Sequence, residues 1–202
     1  MAKIGIMGGT FDPVHNGHLM IGQQAYEEYE LDEIWFMPSG IPPHKRDHTI
    51  TDEQDRCAMV TLAIEAVPYF KLSDFEVKRA GNTYTAETLR LLAEEYPDHQ
   101  FYFIIGADSL FQIERWYHPE LVMSQTTLMV AGRDYPEAPC SMDEQIAYLQ
   151  KKYDARILKL HCEEMDVASA ELRKAIAEHQ PIRQYVPAAV ADYIIAHDLY
   201  RD

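Results

Sequence analysis

The sequence predicts an α/β protein with a parallel sheet, helices on both of its faces and a small helical lobe at the C-terminus. Three observations carry that expectation. Short apolar runs alternate with amphipathic stretches along most of the chain, as strands joined by crossover helices do. The first apolar run ends in Gly8-Gly9 and leads through a short turn into a helical pattern. The last two helical patterns follow one another with no strand between them, so residues 1–166 form the core and residues 167–202 the lobe of a single domain.

Taken in order, the first strand is Lys3–Met7, an apolar run stopped by glycines, and the first helix is Gly17–Tyr29. A strand at Glu33–Met37 stops at Pro38, and a helix at Asp52–Ala66 opens on Thr51-Asp52-Glu53-Gln54, a sequence resembling a capping box. Strands Phe70–Phe75 and Gln100–Ile105 flank a helix at Thr85–Tyr96. Strands Thr126–Val130 and Arg156–Leu160 flank a helix at Met142–Lys152. Helices Ser169–Glu178 and Pro187–His197 close the chain, with Pro187 suited to a first helical position. Met20, Tyr26, Met59 and Leu62 are core candidates, whereas His99, His161, His179 and His197 read as surface groups.

Composition excludes several functions. The 202 residues are 47% hydrophobic, enough for one sizeable core. Lys and Arg number 18 against 33 Asp and Glu, a net charge of −15, and such a field repels nucleic acid and anionic membrane alike. Any anionic ligand must be held by local groups. Cys57, Cys140 and Cys162 are far apart, without a CxxC pair, which suits a reducing, cytoplasmic setting. The N-terminal apolar run is too short for a signal sequence, and no stretch approaches 18 apolar residues.

The turn Gly8-Gly9-Thr10-Phe11-Asp12-Pro13-Val14-His15-Asn16-Gly17-His18 holds the clearest chemistry. Its glycines allow backbone N–H groups to approach a ligand, and the helix that follows points its positive end at the same place. His15 and His18, three apart, can donate to one phosphate. There is no GxxxxGK[ST] loop, the glycines do not space as GxGxxG, and no acidic residue ends the second strand, so a dinucleotide-dependent dehydrogenase is disfavoured.

GGTFDPVHNGH resembles the GGTFDPxHxGH signature of the HxGH nucleotidylyltransferase superfamily. Further matches, in order, are Pro42-Pro43-His44-Lys45, Thr83-Tyr84-Thr85-Ala86-Glu87-Thr88-Leu89, Ile104-Ile105-Gly106-Ala107-Asp108-Ser109-Leu110 and Arg115-Trp116-Tyr117. Over almost the full length these resemble the bacterial nicotinic acid mononucleotide adenylyltransferases. The resemblance implies a Rossmann-like fold, the substrates ATP and nicotinic acid mononucleotide, and Mg²⁺ carried in by ATP, since the sequence shows no dedicated ligand cluster. It leaves homo-oligomerisation open.

The resemblance also implies roles for residues that have plainer readings of their own. His15 and His18 would stabilise nucleotidyl transfer, and Gly8, Gly9 and Thr10 would belong to the ATP site. Lys45 would hold the acceptor phosphate, although Pro42 to Arg46 also reads as a solvated basic loop. Gly106 and Asp108 follow an apolar strand; Asp108 could meet a ribose hydroxyl or adenine amine, or merely cap a helix, and the resemblance gives it to ATP. Trp116 reads as core, or as the face on which a pyridine ring stacks. Thr85 reads as a helix N-cap, and free N–H groups around it, Tyr84 and Tyr117 could receive a nicotinate carboxylate. Arg133 is a further phosphate candidate. The family's usual ISSTxxR is here Val167-Ala168-Ser169-Ala170-Glu171-Leu172-Arg173, so phosphate bonding in the lobe rests on Ser169, backbone N–H groups and Arg173.

Overall fold

A computed structural model of the chain describes residues 1–40, 50–79, 81–132, 138–162, 165 and 167–201. Among these, six strands form one sheet: β1 (Ala2–Gly9), β2 (Glu33–Pro38), β3 (Phe70–Leu72), β4 (His99–Gly106), β5 (Thr127–Ala131) and β6 (Arg156–Lys159). Every pairing is parallel, in the order β3-β2-β1-β4-β5-β6. The chain builds outward from β1 in one direction, then returns to place β4 on its other side. This reversal opens a crevice at the carboxyl ends of β1 and β4, where open α/β sheets bind ligands.

The helices are α1 (Asn16–Tyr29), α2 (Glu53–Ile64), α3 (Thr85–Glu95), α4 (Ala107–Gln112), α5 (Pro119–Gln125), α6 (Met142–Tyr153), α7 (Ser169–Ala177) and α8 (Ala188–Ala196). Strand alternation sorts the core into two halves. Met7, Ile34, Phe36, Ile104 and Met129 face one side and meet α1, α2, α7 and α8 through Ala25, Met59, Val60, Leu172, Ile176, Val190 and Ile194. Ile4, Ile6, Met37, Phe103, Ile105, Leu128 and Val130 face the other side and meet α3 to α6 through Leu89, Leu92, Leu110, Val122, Met123 and Leu149. Each such side chain contributes about 1.5–3 kcal/mol relative to exposure, so both sheet faces are strongly anchored.

Several expectations need correction. The strand at Phe70 stops at Leu72, because the chain turns from residue 75 onward. The predicted capping box at Thr51 does not form: Asp52 is the N-cap and its own carboxylate accepts from the Gln54 N–H at 2.8 Å. Pro187 is the N-cap of α8 rather than its first residue, and Tyr84 rather than Thr85 caps α3. Short helices α4 and α5, joined through a 3₁₀ turn at Ile113–Arg115, fill a stretch with no predicted element. Too few turns are present there for a 3.6-residue period to show. His99 is half-buried, stacked on Tyr96 at 5.5 Å and edge-on to Trp35 at 6.2 Å, so it is no surface histidine.

Candidate active site

The site is built around the turn from β1 to α1. Phe11 adopts φ +50°, a left-handed conformation that costs an L-residue about 1–2 kcal/mol. Burial of its ring, edge-on to His18 at 5.0 Å and tilted on Phe36 at 5.9 Å, offsets that cost. The rest of the turn is held by distant groups. Arg56 Nη1 donates to the carbonyls of Thr10 and Ser39, both at 2.9 Å, and its Nε donates to Thr51 at 3.0 Å. Tyr200 donates its hydroxyl to Asp12 Oδ1 at 2.7 Å; burial, reinforced by the Asp12 carboxylate, holds that phenol far above its usual pKa, so it remains a donor.

His15 caps α1 in an extended conformation, and its backbone N–H donates to His18 Nδ1 at 3.2 Å. The proton of a neutral His18 ring therefore sits on Nε2. The two imidazoles stack with centroids 3.7 Å apart. Burial lowers the His15 pKa to about 4, so this ring is neutral at ordinary pH and donates as an imidazole. Among the described residues its buried Nδ1 has no hydrogen-bond partner. A Cβ at residue 17 would lie 3.0 Å from that Nδ1 and 3.1 Å from Val167 Cγ1, so Gly17 admits both the histidine ring and the C-terminal segment.

A cavity of about 770 Å³ occupies the crevice, within the range that encloses a small ligand. Its wall includes Gly8, Gly9, His15, His18, Tyr84, Thr85, Gly106, Trp116 and Tyr117, so nine of the sequence-predicted site residues come together there. Trp116 is half-buried and edge-on to Phe103 at 6.4 Å, leaving it part core and part wall. Tyr84 and Tyr117 pair with ring centroids 4.5 Å apart.

Other predicted residues lie elsewhere. Thr10 and Asp108 are not on the cavity wall; Asp108 is in the first turn of α4, where its Oδ1 would be 2.7 Å from a Cβ at Gly106. Ser169 Oγ donates to the Pro13 carbonyl at 2.9 Å and Arg173 Nη1 to the Asp12 carbonyl at 2.7 Å, tying α7 to the turn. Lys45 and Arg133 lie outside the described residues. Sequence reasoning missed Ser39 and Glu76 on the wall and Arg56 behind it, and it named Thr83 and Arg115, also on the wall, only within the family matches without giving them a role. A signal for Arg56 existed: it shares the buried stripe of α2 with Met59, Val60 and Ala63, an odd place for a cation. Among the described residues no group of three or more His, Cys, Asp or Glu side chains could hold a metal ion. Among them, no helix is long and apolar enough to cross a membrane.

A parallel sheet with paired imidazoles over a glycine-rich turn at its switch point defines a nucleotide-binding α/β enzyme. Residues 6–184 match the cytidylyltransferase-like family. The chain is 46% identical over 200 residues to a probable nicotinate-nucleotide adenylyltransferase of Lachnoclostridium phytofermentans, covering 99% of this chain and 100% of that one. It is 40% identical over 201 residues to a probable nicotinate-nucleotide adenylyltransferase of Bacillus cytotoxicus, with 99% of each covered. It therefore belongs to the cytidylyltransferase-like family and, within it, to the nicotinate-nucleotide adenylyltransferases. The fold is similar to that of Plasmodium falciparum nicotinic acid mononucleotide adenylyltransferase complexed with NaAD, with a TM-score of 0.82 at 23% identity over 99% of this chain and 98% of that one.

Proposed function

We propose that the protein transfers the adenylyl group of ATP to nicotinic acid mononucleotide, giving the deamido dinucleotide and pyrophosphate. The observation that carries this reading is the single crevice that joins His15 and His18 to Gly106, Thr85, Trp116 and Tyr117. An oxygen of the acceptor's ionised phosphate attacks the α-phosphorus in line. The new P–O bond forms as the bond to the β-phosphate breaks, and that electron pair leaves with pyrophosphate. No covalent enzyme intermediate is needed, so the protein supplies alignment and charge stabilisation.

His18 Nε2–H and the His15 ring donate to phosphate oxygens as charge moves toward the leaving group. Gly8, Gly9 and Thr10 present the turn to ATP, while Gly106 and Asp108 serve its nucleoside. Ser169 and Arg173 fix the turn through Asp12 and Pro13, and the remaining guanidinium N–H groups of Arg173, with Arg133, are the proposed triphosphate donors. Lys45 pairs with the acceptor phosphate. Trp116 faces the pyridine ring, and N–H groups at Thr85 and Tyr117, with Tyr84 alongside, receive its carboxylate. ATP enters as its Mg²⁺ complex, so the ion belongs to the substrate. The reading places the enzyme in the cytoplasm, acting on small anions with no nucleic-acid or membrane partner, as one nucleotidylyltransferase domain.

The test follows the label from ATP carrying it on the α-phosphate, with nicotinic acid mononucleotide as acceptor. The expected outcome is label in the dinucleotide, with unlabelled pyrophosphate released one for one. Label recovered as AMP, or no acceptor-dependent pyrophosphate, contradicts the proposal.

A further inference from the structure

Beside the start of α3 the cavity wall carries a carboxylate, Glu76, from the turn that follows β3. Its charge repels a ligand carboxylate and its lone pairs can accept from a ligand amide, so acceptor choice depends on how this group is held. Both of its oxygens are engaged by protein donors. Thr83 Oγ1 donates to Oε2 at 3.1 Å and Thr88 Oγ1 donates to Oε1 at 2.7 Å. Thr83 and Thr88 are 7% and 2% exposed, so water does not compete for these hydroxyls. Arg79 Nη1 donates in turn to Thr88 Oγ1 at 3.0 Å, and its Nη2 pairs with Glu87 at 2.9 Å.

The backbone of this network is also fixed. A Cβ at residue 40 would stand 2.9 Å from the Glu76 carbonyl oxygen and 3.2 Å from Thr83 Cγ2, so Gly40 lets the chain after β2 press directly on both. Thr83 immediately precedes Tyr84, the N-cap of α3. The orientation of Glu76 and the position of the first α3 residues are therefore set together.

We propose that Glu76, held by Thr83 and Thr88, is a positioning residue for acceptor selection. It fixes the start of α3 where the pyridine substituent is received, and the two hydroxyls hold its carboxylate in one orientation, so that its remaining lone pairs are not free to turn toward an amide NH₂. The start of α3 thereby keeps its N–H donors turned to that substituent while the Glu76 acceptor is held in place, which favours a carboxylate. The inference rests on the proposed transfer to nicotinic acid mononucleotide.

The test compares kcat/KM for nicotinic acid and nicotinamide mononucleotides in the wild type, Thr83→Val and Thr83→Ser. The valine keeps the shape of the side chain and removes the donor, freeing Oε2. The acid-to-amide ratio is expected to fall roughly tenfold, the worth of one hydrogen bond to a charged group, through the acceptor KM and with the ATP KM unchanged. Thr83→Ser restores the hydroxyl and should restore the ratio. Thr83→Ala, which opens space instead of filling it, must move the ratio the same way, so the idea remains testable if the valine variant does not fold. Equal losses for both acceptors, an unchanged ratio or no rescue by serine would overturn the proposal. Failure of the wild type to make either dinucleotide would instead refute the functional reading, before any variant is compared.

Discussion

Replacing His18 by alanine is expected to lower kcat by roughly 10²- to 10³-fold, the usual cost of deleting a preorganised donor to developing charge. The basis is geometric. The His15 backbone N–H occupies His18 Nδ1 at 3.2 Å, which fixes the ring and leaves Nε2–H as its donor. No reorganisation is then needed when charge moves toward pyrophosphate. His15→Ala should do comparable damage, because the neighbouring ring is stacked at 3.7 Å and neutral above a pKa of about 4. Single-turnover rates, measured on variants that melt like the wild type, check both. Near wild-type turnover in either one would remove that histidine from the chemistry.

The second large effect falls on Arg56, which touches no predicted ligand. Its guanidinium is 2% exposed and serves the carbonyls of Thr10, Ser39 and Thr51. Arg56→Ala leaves three partly buried acceptors to find other donors and opens a void beside the signature turn. At about 1–3 kcal/mol for each unsatisfied group, with some recovery by water, a loss of about 3–5 kcal/mol is expected. For a chain of this size that lowers Tm by roughly 10 °C. Arg56→Lys, a single point donor in place of a fork, should recover only part of it. A thermal melt decides the matter, and an alanine variant melting within about 1 °C of the wild type would show that the staple is dispensable.

The fold was legible where the information is local. Ile4-Gly5-Ile6-Met7 and Phe101–Ile105 are apolar runs whose neighbours in sequence bound them, and each became a strand at the crevice. The signature turn was legible for the same reason, since glycines and histidines lie within eleven residues. What could not be read depends on contacts between distant positions. Arg56 reaches Thr10 across 46 residues, and Arg173 reaches Asp12 across 161. The sequence marks Arg173 as a phosphate candidate without revealing that it grips a carbonyl of the turn. Glu76 was invisible because its meaning comes from Thr83 and Thr88, seven and twelve residues away. Ala168 illustrates a partial reading. It stands at the N-cap of α7 with no side-chain capping bond, where a Ser is worth about 1 kcal/mol, so the departure from the family pattern is felt in the lobe's own helix as well as at any bound phosphate.

Adenylyl transfer to an acceptor recognised by its carboxylate, as proposed, is decided by kcat/KM for nicotinic acid against nicotinamide mononucleotide with the unmodified protein. The two acceptors share ring, ribose and phosphate, so the proposed stacking on Trp116 cannot separate them. A carboxylate would present acceptors alone to the proposed N–H donors at Thr85 and Tyr117, whereas an amide would turn its NH₂ toward protein donors and leave both unpaired. At about 1–3 kcal/mol for each mismatch, a preference of roughly 10²- to 10⁴-fold for the acid is expected. Equal values, or a preference for the amide, would contradict it.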